Sequence, residues 1–234
     1  MTSWTRKAAQ SAPAAILFDL DGTLIDSAPD IAFAVNAVLE ADGLAPLGLD
    51  AVRGMIGHGL EKLVERAFAA RGADLDPQAL RQRHAVVHAV YAGHLVELTA
   101  LRPGARAAVQ AVQELGLRSA VVTNKPEGLS RRILDQFGLL ADLDLVIGGD
   151  SGYPRKPAPD MLLAACAQLG ASPCETVLIG DSRADLTSAR AAGIGCILVR
   201  GGYCDRPADE LGADLVIDEL DAVPALLRAC EAVP

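Results

Sequence analysis

Two aspartates separated by a single residue follow a short apolar stretch near the start of this 234-residue sequence. The stretch covers residues 15–18, and Asp19-Leu20-Asp21-Gly22-Thr23-Leu24 comes directly after it. A short apolar run that ends in a turn predicts a buried strand. Because an unpaired charge inside a strand would cost several kcal/mol, both carboxylates belong beyond its end, where open α/β sheets bind ligands. Two close carboxylates suit a hard cation, and they also suit a nucleophile with a partner acid.

Further polar residues stand just after later apolar stretches. Thr123 and Asn124 follow residues 119–122, and a strand-end threonine can offer its hydroxyl, with the next amide, to a phosphate oxygen. A threonine at this position also serves as an ordinary helix N-cap. Lys156 follows residues 145–147, and its compact charge suits a phosphate or a crowded group of carboxylates, although most lysines are simply solvated.

A last pair of carboxylates follows the apolar residues 176–179. In the string Gly180-Asp181-Ser182-Arg183-Ala184-Asp185, the spacing places Asp181 at the tip of a strand and Asp185 in the first turn of a helix. Stabilisation of the helix dipole explains Asp185 without any chemistry, but it does not explain an acid at the end of a buried strand. Asp181 is therefore the stronger candidate for a functional carboxylate.

Strand and helix patterns alternate around these residues. The predicted strands cover residues 15–18, 119–122, 145–147, 176–179, 196–199 and 215–217. The predicted helices between them include residues 105–115, 127–137, 159–169 and 184–192, each followed by a glycine that can end it. This alternation predicts an α/β fold with a doubly wound parallel sheet.

One long interval breaks the alternation. From about Asp26 to about Leu98 no strand pattern stands out, whereas residues 28–40, 59–70 and 77–94 look helical. We therefore predict a helical cap domain at residues 26–97, inserted into a core domain formed by residues 1–25 and 98–234.

Composition limits the partners and the location. The formal net charge of −9 argues against nucleic acid and anionic membranes as partners, because both demand a basic face. No apolar run approaches the ~20 residues of a membrane span. Residues 1–14 lack the apolar segment of a secretory signal and predict a flexible tail, with a transit peptide as the lesser alternative. The five cysteines form no Cys-x-x-Cys pair and predict buried thiols in the reducing cytoplasm.

In chain order the motifs are Asp-x-Asp, Thr, Lys-Pro and Gly-Asp-x-x-x-Asp. This order resembles the four motifs of the haloacid dehalogenase-like superfamily, and the resemblance spans almost the whole chain. It implies a Rossmann-like core with strand order 3-2-1-4-5-6. In that order the first and fourth core strands, which carry Asp19 and Asp181, are neighbours at the point where such sheets bind ligands.

The resemblance also implies a Mg²⁺-dependent phosphatase. Asp19 is then the nucleophile that forms an aspartyl phosphate, and Asp21 protonates the leaving alkoxide. The implied ligands of Mg²⁺ are Asp19, Asp181 and the carbonyl group of Asp21, with Asp185 and Asp150 orienting them.

By the same resemblance, the phosphate oxygens are neutralised by Thr123, the amide of Asn124 and Lys156. Residues 52–60 of the insertion, which include the loop Gly57-His58-Gly59, resemble the corresponding segment of phosphoglycolate phosphatases, as do residues 101–104, 122–126 and 180–183, and this resemblance implies 2-phosphoglycolate as the substrate. This loop, with Arg53 and Lys62 nearby, is then a candidate for binding the substrate's carboxylate. The alternative is that the glycines only shape the loop and that His58 is solvated.

Other activities within the superfamily stay open. Related caps serve sugar phosphates and pyrophosphate, and phosphomutases keep both acids of the first motif. Haloacid dehalogenases lack the acid that corresponds to Asp21. A non-catalytic phospho-aspartate switch, as in receiver domains, is disfavoured because such a switch needs neither Asp21 nor the helical insertion. We expect the substrate to be a small phosphate ester. We expect the protein to be a monomer or a homodimer.

Overall fold

The computed structural model describes residues 13–204 and 206–231. The strands within them are β1 (Ala15–Phe18), β2 (Ile25–Asp26), β3 (Ala100–Leu101), β4 (Arg118–Val122), β5 (Leu145–Ile147), β6 (Thr176–Gly180), β7 (Gly195–Val199) and β8 (Leu215–Ile217). The α-helices are α1 (Ala28–Ala41), α2 (Leu49–Arg53), α3 (Leu60–Ala69), α4 (Pro77–Gly93), α5 (Ala105–Glu114), α6 (Glu127–Gln136), α7 (Asp160–Leu169), α8 (Arg183–Ala192), α9 (Ala208–Leu211) and α10 (Val223–Glu231). Most of the flexible tail expected at residues 1–14 lies outside the described residues.

A six-stranded parallel sheet forms the centre of the larger unit. Its order is β5-β4-β1-β6-β7-β8, which reads 3-2-1-4-5-6 when these strands are numbered along the chain. β1 lies in the middle, with Leu17 in register with Ala120 on one side and Leu178 on the other. All four β1 side chains are fully buried, as a parallel strand covered on both faces requires.

The chain divides into two compact units. One contains the residues up to Ile25 together with those from Leu101 onward, and the other contains Asp26–Ala100. The second unit is helical and packs α1 against α4 and α4 against α3 around the buried Val35, Leu39, Phe68 and Tyr91. The two-residue strands β2 and β3 pair with each other in a separate sheet.

The register of the large sheet places three loops at one edge. Phe18 is level with Val121 of β4 and with Ile179 of β6, and all three strands run in the same direction. The chain segments after Phe18, Val122 and Gly180 therefore leave the sheet side by side. The amide of Asp19 continues the ladder by donating to the carbonyl oxygen of Ile179 at 2.9 Å.

The predicted α/β parallel sheet is confirmed, and the predicted strands differ from the observed ones by at most one residue at an end. The sequence patterns did not predict β2 and β3, because two residues cannot display a period. The short helices α2 and α9 and the terminal helix α10 were also missed. The expectation of buried thiols is confirmed for three cysteines but is wrong for Cys174, which is exposed, and for Cys204, which is half-buried; in the described part of the chain no cysteine forms a disulfide. No helix in the described part of the chain is long and apolar enough to cross a membrane.

Asp30, in α1, links that helix to the end of the helical unit through hydrogen bonds, and these bonds lead to a prediction about stability. Its buried carboxylate accepts hydrogen bonds from the amides of Leu98 and Thr99 and, at 2.6 Å, from the Thr99 hydroxyl. Asp30→Ala leaves these donors without their acceptor, and we expect the free energy of unfolding to fall by about 2–4 kcal/mol. Urea unfolding followed by circular dichroism measures the loss. The matched control is Glu40→Ala, an exposed acid of the same helix, which should change stability little; equal losses would contradict the assignment.

Candidate active site

Three carboxylates meet beyond the ends of the central strands. Each of Asp19, Asp181 and Asp185 offers an oxygen atom, and these atoms lie within 4.8 Å of one another. Asp19 follows β1, Asp181 follows the neighbouring strand β6, and Asp185 lies in the first turn of α8. Parallel pairing thus brings together acids that are more than 160 residues apart in the sequence.

Lys156 lies among these carboxylates. Its ammonium group is 2.6 Å from Asp185, 2.9 Å from Asp19 and 2.8 Å from the carbonyl oxygen of Val122. Burial alone would lower the pKa of Lys156, but the negative charges of Asp185 and Asp19 outweigh it, so the pKa is raised above its ordinary value. Lys156 therefore stays protonated and holds Asp19 and Asp185 together.

Asp181 is fixed from two sides. Its carboxylate accepts hydrogen bonds from the Thr23 hydroxyl at 2.8 Å and from the Tyr203 amide at 2.6 Å. Two glycines make this close approach possible. A Cβ atom at Gly22 would lie 2.4 Å from an oxygen of Asp181, and one at Gly202 would lie 2.3 Å from the Cβ of Asp181. Gly22 also has a φ of +89°, which disfavours any other residue.

Asp185 has a local structural role as well as its contact with Lys156. It forms a capping box with Ser182: the Asp185 amide donates to the Ser182 hydroxyl oxygen at 3.3 Å, and the Ser182 amide donates to one carboxylate oxygen of Asp185 at 3.0 Å. Its other carboxylate oxygen lies 2.6 Å from the ammonium group of Lys156, so Asp185 both caps the start of α8 and takes part in the charged cluster.

A second ion pair lies beside the first. The buried ammonium group of Lys125 is 2.8 Å and 3.0 Å from the two carboxylate oxygens of Asp21. The amide of Lys125 donates to the Thr123 hydroxyl oxygen at 3.2 Å, and the side-chain amide of Asn124 donates to the carbonyl oxygen of Lys156 at 2.8 Å. The segment after β4 is thereby joined both to the first motif and to the loop that carries Lys156.

The cluster carries an excess of negative charge. Asp19, Asp21, Asp181 and Asp185 lie beside two cations, Lys125 and Lys156, so these six groups, when fully ionised, have two more negative than positive charges. Burial, followed by the charge of Asp185, raises the pKa of Asp19 to about 7 and that of Asp181 to about 8. The donor atoms are all oxygen, which is the ligand chemistry of Mg²⁺. These residues fit a single divalent cation.

The structure does not bring Asp150 into this cluster. Its side chain is exposed and accepts a hydrogen bond from the Glu127 amide at 2.7 Å, at the start of α6. Asp150 therefore stabilises the beginning of a helix, and the expected role in orienting metal ligands has no support from its position.

The predicted loop of the helical unit has its own contacts. Gly57 and Gly59 both have positive φ angles, which supports the view that they shape the loop, and α3 begins directly after Gly59. His58 is exposed, with its ring nitrogen 3.4 Å from the guanidinium group of Arg66. The cations proposed beside it already face acids, Arg53 at 3.0 Å from Asp26 and Lys62 at 2.6 Å from Glu65.

Sequence reasoning missed several residues of the site. Lys125 was expected near Lys156, because both are among only four lysines and both lie in loops that follow strands, but its contact with Asp21 was not predicted. In the sequence, Thr23 is recognisable only as part of the turn after Asp21, and nothing there indicates its hydrogen bond to Asp181. The contribution of Gly202 and Tyr203 had no signal, because it consists of a backbone amide and a missing Cβ atom.

Comparison with known proteins places the chain among hydrolases. A model of the haloacid dehalogenase-like hydrolase family matches residues 13–193. The phosphoglycolate phosphatase of Cereibacter sphaeroides is 44% identical over 216 residues, which cover 91% of this chain and 97% of that protein. The phosphoglycolate phosphatase of Pseudomonas putida is 40% identical over 222 residues, covering 93% of this chain and 80% of that protein.

Solved structures agree with these relatives. The crystal structure of a predicted phosphoglycolate phosphatase from Haemophilus somnus is 27% identical, with a TM-score of 0.86, and the match covers 92% of this chain and 98% of that one. CbbY from Rhodobacter sphaeroides, solved in complex with phosphate, is 26% identical, with a TM-score of 0.79 and coverage of 92% and 99%.

The contact between Gly202 and Asp181 leads to a prediction. Gly202→Ala forces a methyl group into the space of the Asp181 side chain, and overpacking of this kind costs about 1–3 kcal/mol. We expect a lower urea midpoint, measured by circular dichroism. Gly128→Ala is the matched control, because no atom lies within 4 Å of the added Cβ there and alanine is favoured in a helix. A midpoint for Gly202→Ala at or above that of the unmodified protein would contradict the tight approach.

The raised pKa values of Asp19 and Asp181 predict how metal-free protein responds to pH. Both pKa values lie above the ordinary 3.8, so the folded state binds more protons than the unfolded state between about pH 4 and pH 8. Stability is therefore expected to fall as pH rises through this window. In EDTA the melting temperature should be lower at about pH 8 than at about pH 6, and Mg²⁺ should remove most of the difference. A melting temperature that rises over this interval in EDTA would contradict the assignment.

Proposed function

Because the chain belongs to the haloacid dehalogenase-like hydrolase family, we propose that it hydrolyses 2-phosphoglycolate to glycolate and phosphate. The expected enzyme class, a phosphoric monoester hydrolase, is confirmed by relatives that are 40–44% identical and are named phosphoglycolate phosphatases. One observation supports this reaction most strongly. Asp19, Asp181, Asp185 and Lys156 lie together beyond the ends of adjacent strands, and Asp21 is two residues after Asp19.

In the proposed reaction, an oxygen of Asp19 attacks the phosphorus atom. The bond between phosphorus and the ester oxygen breaks, and Asp21 gives its proton to the departing alkoxide of glycolate. Water then attacks the aspartyl phosphate, and Asp21 takes a proton from that water as the bond to Asp19 breaks. Lys156 holds Asp19 in place, and its position 2.9 Å from that carboxylate supports this role.

The main obstacle to this reaction is repulsion between a carboxylate and a phosphate dianion. Asp19, Asp181 and the carbonyl group of Asp21 would hold Mg²⁺, which offsets that repulsion when it is bound. Lys156, the hydroxyl group of Thr123 and the amide of Asn124 would neutralise the phosphate oxygens. The hydrogen bond between Asn124 and the carbonyl oxygen of Lys156 supports their joint action, because it ties the two loops to each other.

A sugar phosphate is the second candidate substrate. CbbY from Rhodobacter sphaeroides, in a variant form, has been solved in complex with xylulose-1,5-bisphosphate, and it is 26% identical to this chain. The relatives named phosphoglycolate phosphatases are more similar and match nearly the whole chain, and they favour the smaller ester.

A substrate panel tests the proposal. Purified protein with Mg²⁺ is assayed against 2-phosphoglycolate, sugar phosphates, pyrophosphate and p-nitrophenyl phosphate, and kcat/KM is compared. We expect the highest value for 2-phosphoglycolate. A sugar phosphate at the top of the panel would replace the substrate but keep the reaction, and no hydrolysis of any ester would refute the reaction itself.

Asp19→Asn tests the nucleophile. The amide is a poor nucleophile, so we expect turnover of 2-phosphoglycolate to fall by at least about a thousandfold. The fold should persist, because Asp19 lies beyond the strand end, and circular dichroism checks this. More than about a thousandth of the original rate in a folded variant would contradict covalent catalysis through Asp19.

A further inference from the structure

The proposed reaction gives no role to the side chain of Lys125. In that reaction Lys156 neutralises the phosphate oxygens together with Thr123 and the amide of Asn124, and no group of Lys125 contacts the phosphate. Yet the Lys125 side chain is only 4% exposed, which is unusual for a lysine unless it is paired or functional. Its partner is Asp21, the residue that is proposed to protonate the leaving group.

The position of Lys125 is firmly set by the loops around it. Its amide donates to the Thr123 hydroxyl oxygen, and its carbonyl oxygen accepts from the Gly149 amide at 2.8 Å. A Cβ atom at Gly149 would lie 2.3 Å from the carbonyl oxygen of Asn124, so the two loops are in close contact. The ammonium group is thus presented from a backbone that is anchored on both sides.

The chemistry of the substrate places its carboxylate near this ammonium group. Asp21 must approach the ester oxygen closely in order to protonate it. In 2-phosphoglycolate a single methylene group separates that oxygen from the carboxylate carbon. The Lys125 ammonium group is 2.8–3.0 Å from the oxygens of Asp21. A cation held against the acid therefore lies on the leaving-group side of the reacting bond, where the carboxylate of a 2-phospho acid is found.

We propose that Lys125 recognises the carboxylate of the leaving group and so selects phosphate esters of 2-hydroxy acids over phosphate esters of uncharged alcohols. This inference rests on the proposed function, and it names a residue for the selectivity that the function requires. It also assigns that recognition to the core unit, whereas Arg53 and Lys62 of the helical unit already face acids.

The test compares two esters that differ in charge. 2-Hydroxyethyl phosphate has the same primary ester oxygen as 2-phosphoglycolate, with a neutral hydroxymethyl group in place of the carboxylate. We expect the unmodified protein to prefer 2-phosphoglycolate in kcat/KM, and Lys125→Met to reduce that preference by about ten- to a hundredfold. Loss of the contact with Asp21 affects both esters alike, so the ratio isolates recognition of the carboxylate.

Arg131→Met provides the matched control. It removes a cation that also faces an acid, Glu127 at 2.8 Å, but on the exposed surface of α6. The preference ratio should stay unchanged in this variant.

Equilibrium binding keeps the test valid if Lys125→Met turns over too slowly to measure. In the Asp19→Asn background, Lys125→Met should weaken binding of 2-phosphoglycolate about ten- to a hundredfold and that of 2-hydroxyethyl phosphate much less. Equal losses for both esters would mean that Lys125 acts only by positioning Asp21 and would overturn the inference. An unchanged ratio of kcat/KM for the two esters in Lys125→Met would also overturn the inference, but it would leave 2-phosphoglycolate as the proposed substrate. An unmodified protein that does not distinguish the esters would instead contradict 2-phosphoglycolate as the substrate, and the role of Lys125 with it.

Discussion

The ion pairs of Lys156 with Asp19 and Asp185 are the interaction on which the site depends. Bringing charges into a poorly solvated place is costly, and the cost is recovered only if each charge has a close partner. Lys156 satisfies two carboxylates at once, and the capping box of Asp185 satisfies part of the remainder. The excess of two negative charges persists after this pairing, and it adds to the effect of burial in raising the pKa values of Asp19 and Asp181. A divalent cation is the natural complement of such a group.

The parallel sheet is what makes this concentration of charge possible. β1 supplies fully buried apolar side chains up to Phe18 and a carboxylate immediately afterwards, and β6 likewise consists of buried residues up to Gly180, with Asp181 directly after them. Because neighbouring parallel strands end at the same edge, the acids meet without any charge having to enter the core. The loops then close around Asp181 so tightly that Gly22 and Gly202 leave no room for a side chain. The fold is thus stabilised by its apolar strands, while the charges gather where the strands stop.

The sequence allowed the sheet and the principal acids to be predicted for the same reason. Asp19 and Asp181 each end an apolar run, and a charge at that position has few structural explanations. Lys156 could be placed near them because its motif follows another strand. Asp150 also follows a strand, but its carboxylate binds the start of α6, and sequence position could not separate these outcomes. The Tyr203 amide lies beyond prediction from residue types, because any residue could supply it. The partner of Lys125 depends on a contact across more than 100 residues, and no local pattern encodes it.

Binding of Mg²⁺ to the metal-free protein, followed by isothermal titration calorimetry, tests the central claim that the excess negative charge at the strand ends is built for one divalent cation. The account predicts a single saturable site per chain in the unmodified protein and its loss, or a weakening of at least about tenfold, in Asp181→Asn. Circular dichroism verifies that this variant is folded. The absence of saturable binding in the unmodified protein, or equal affinity in folded Asp181→Asn, would contradict the account.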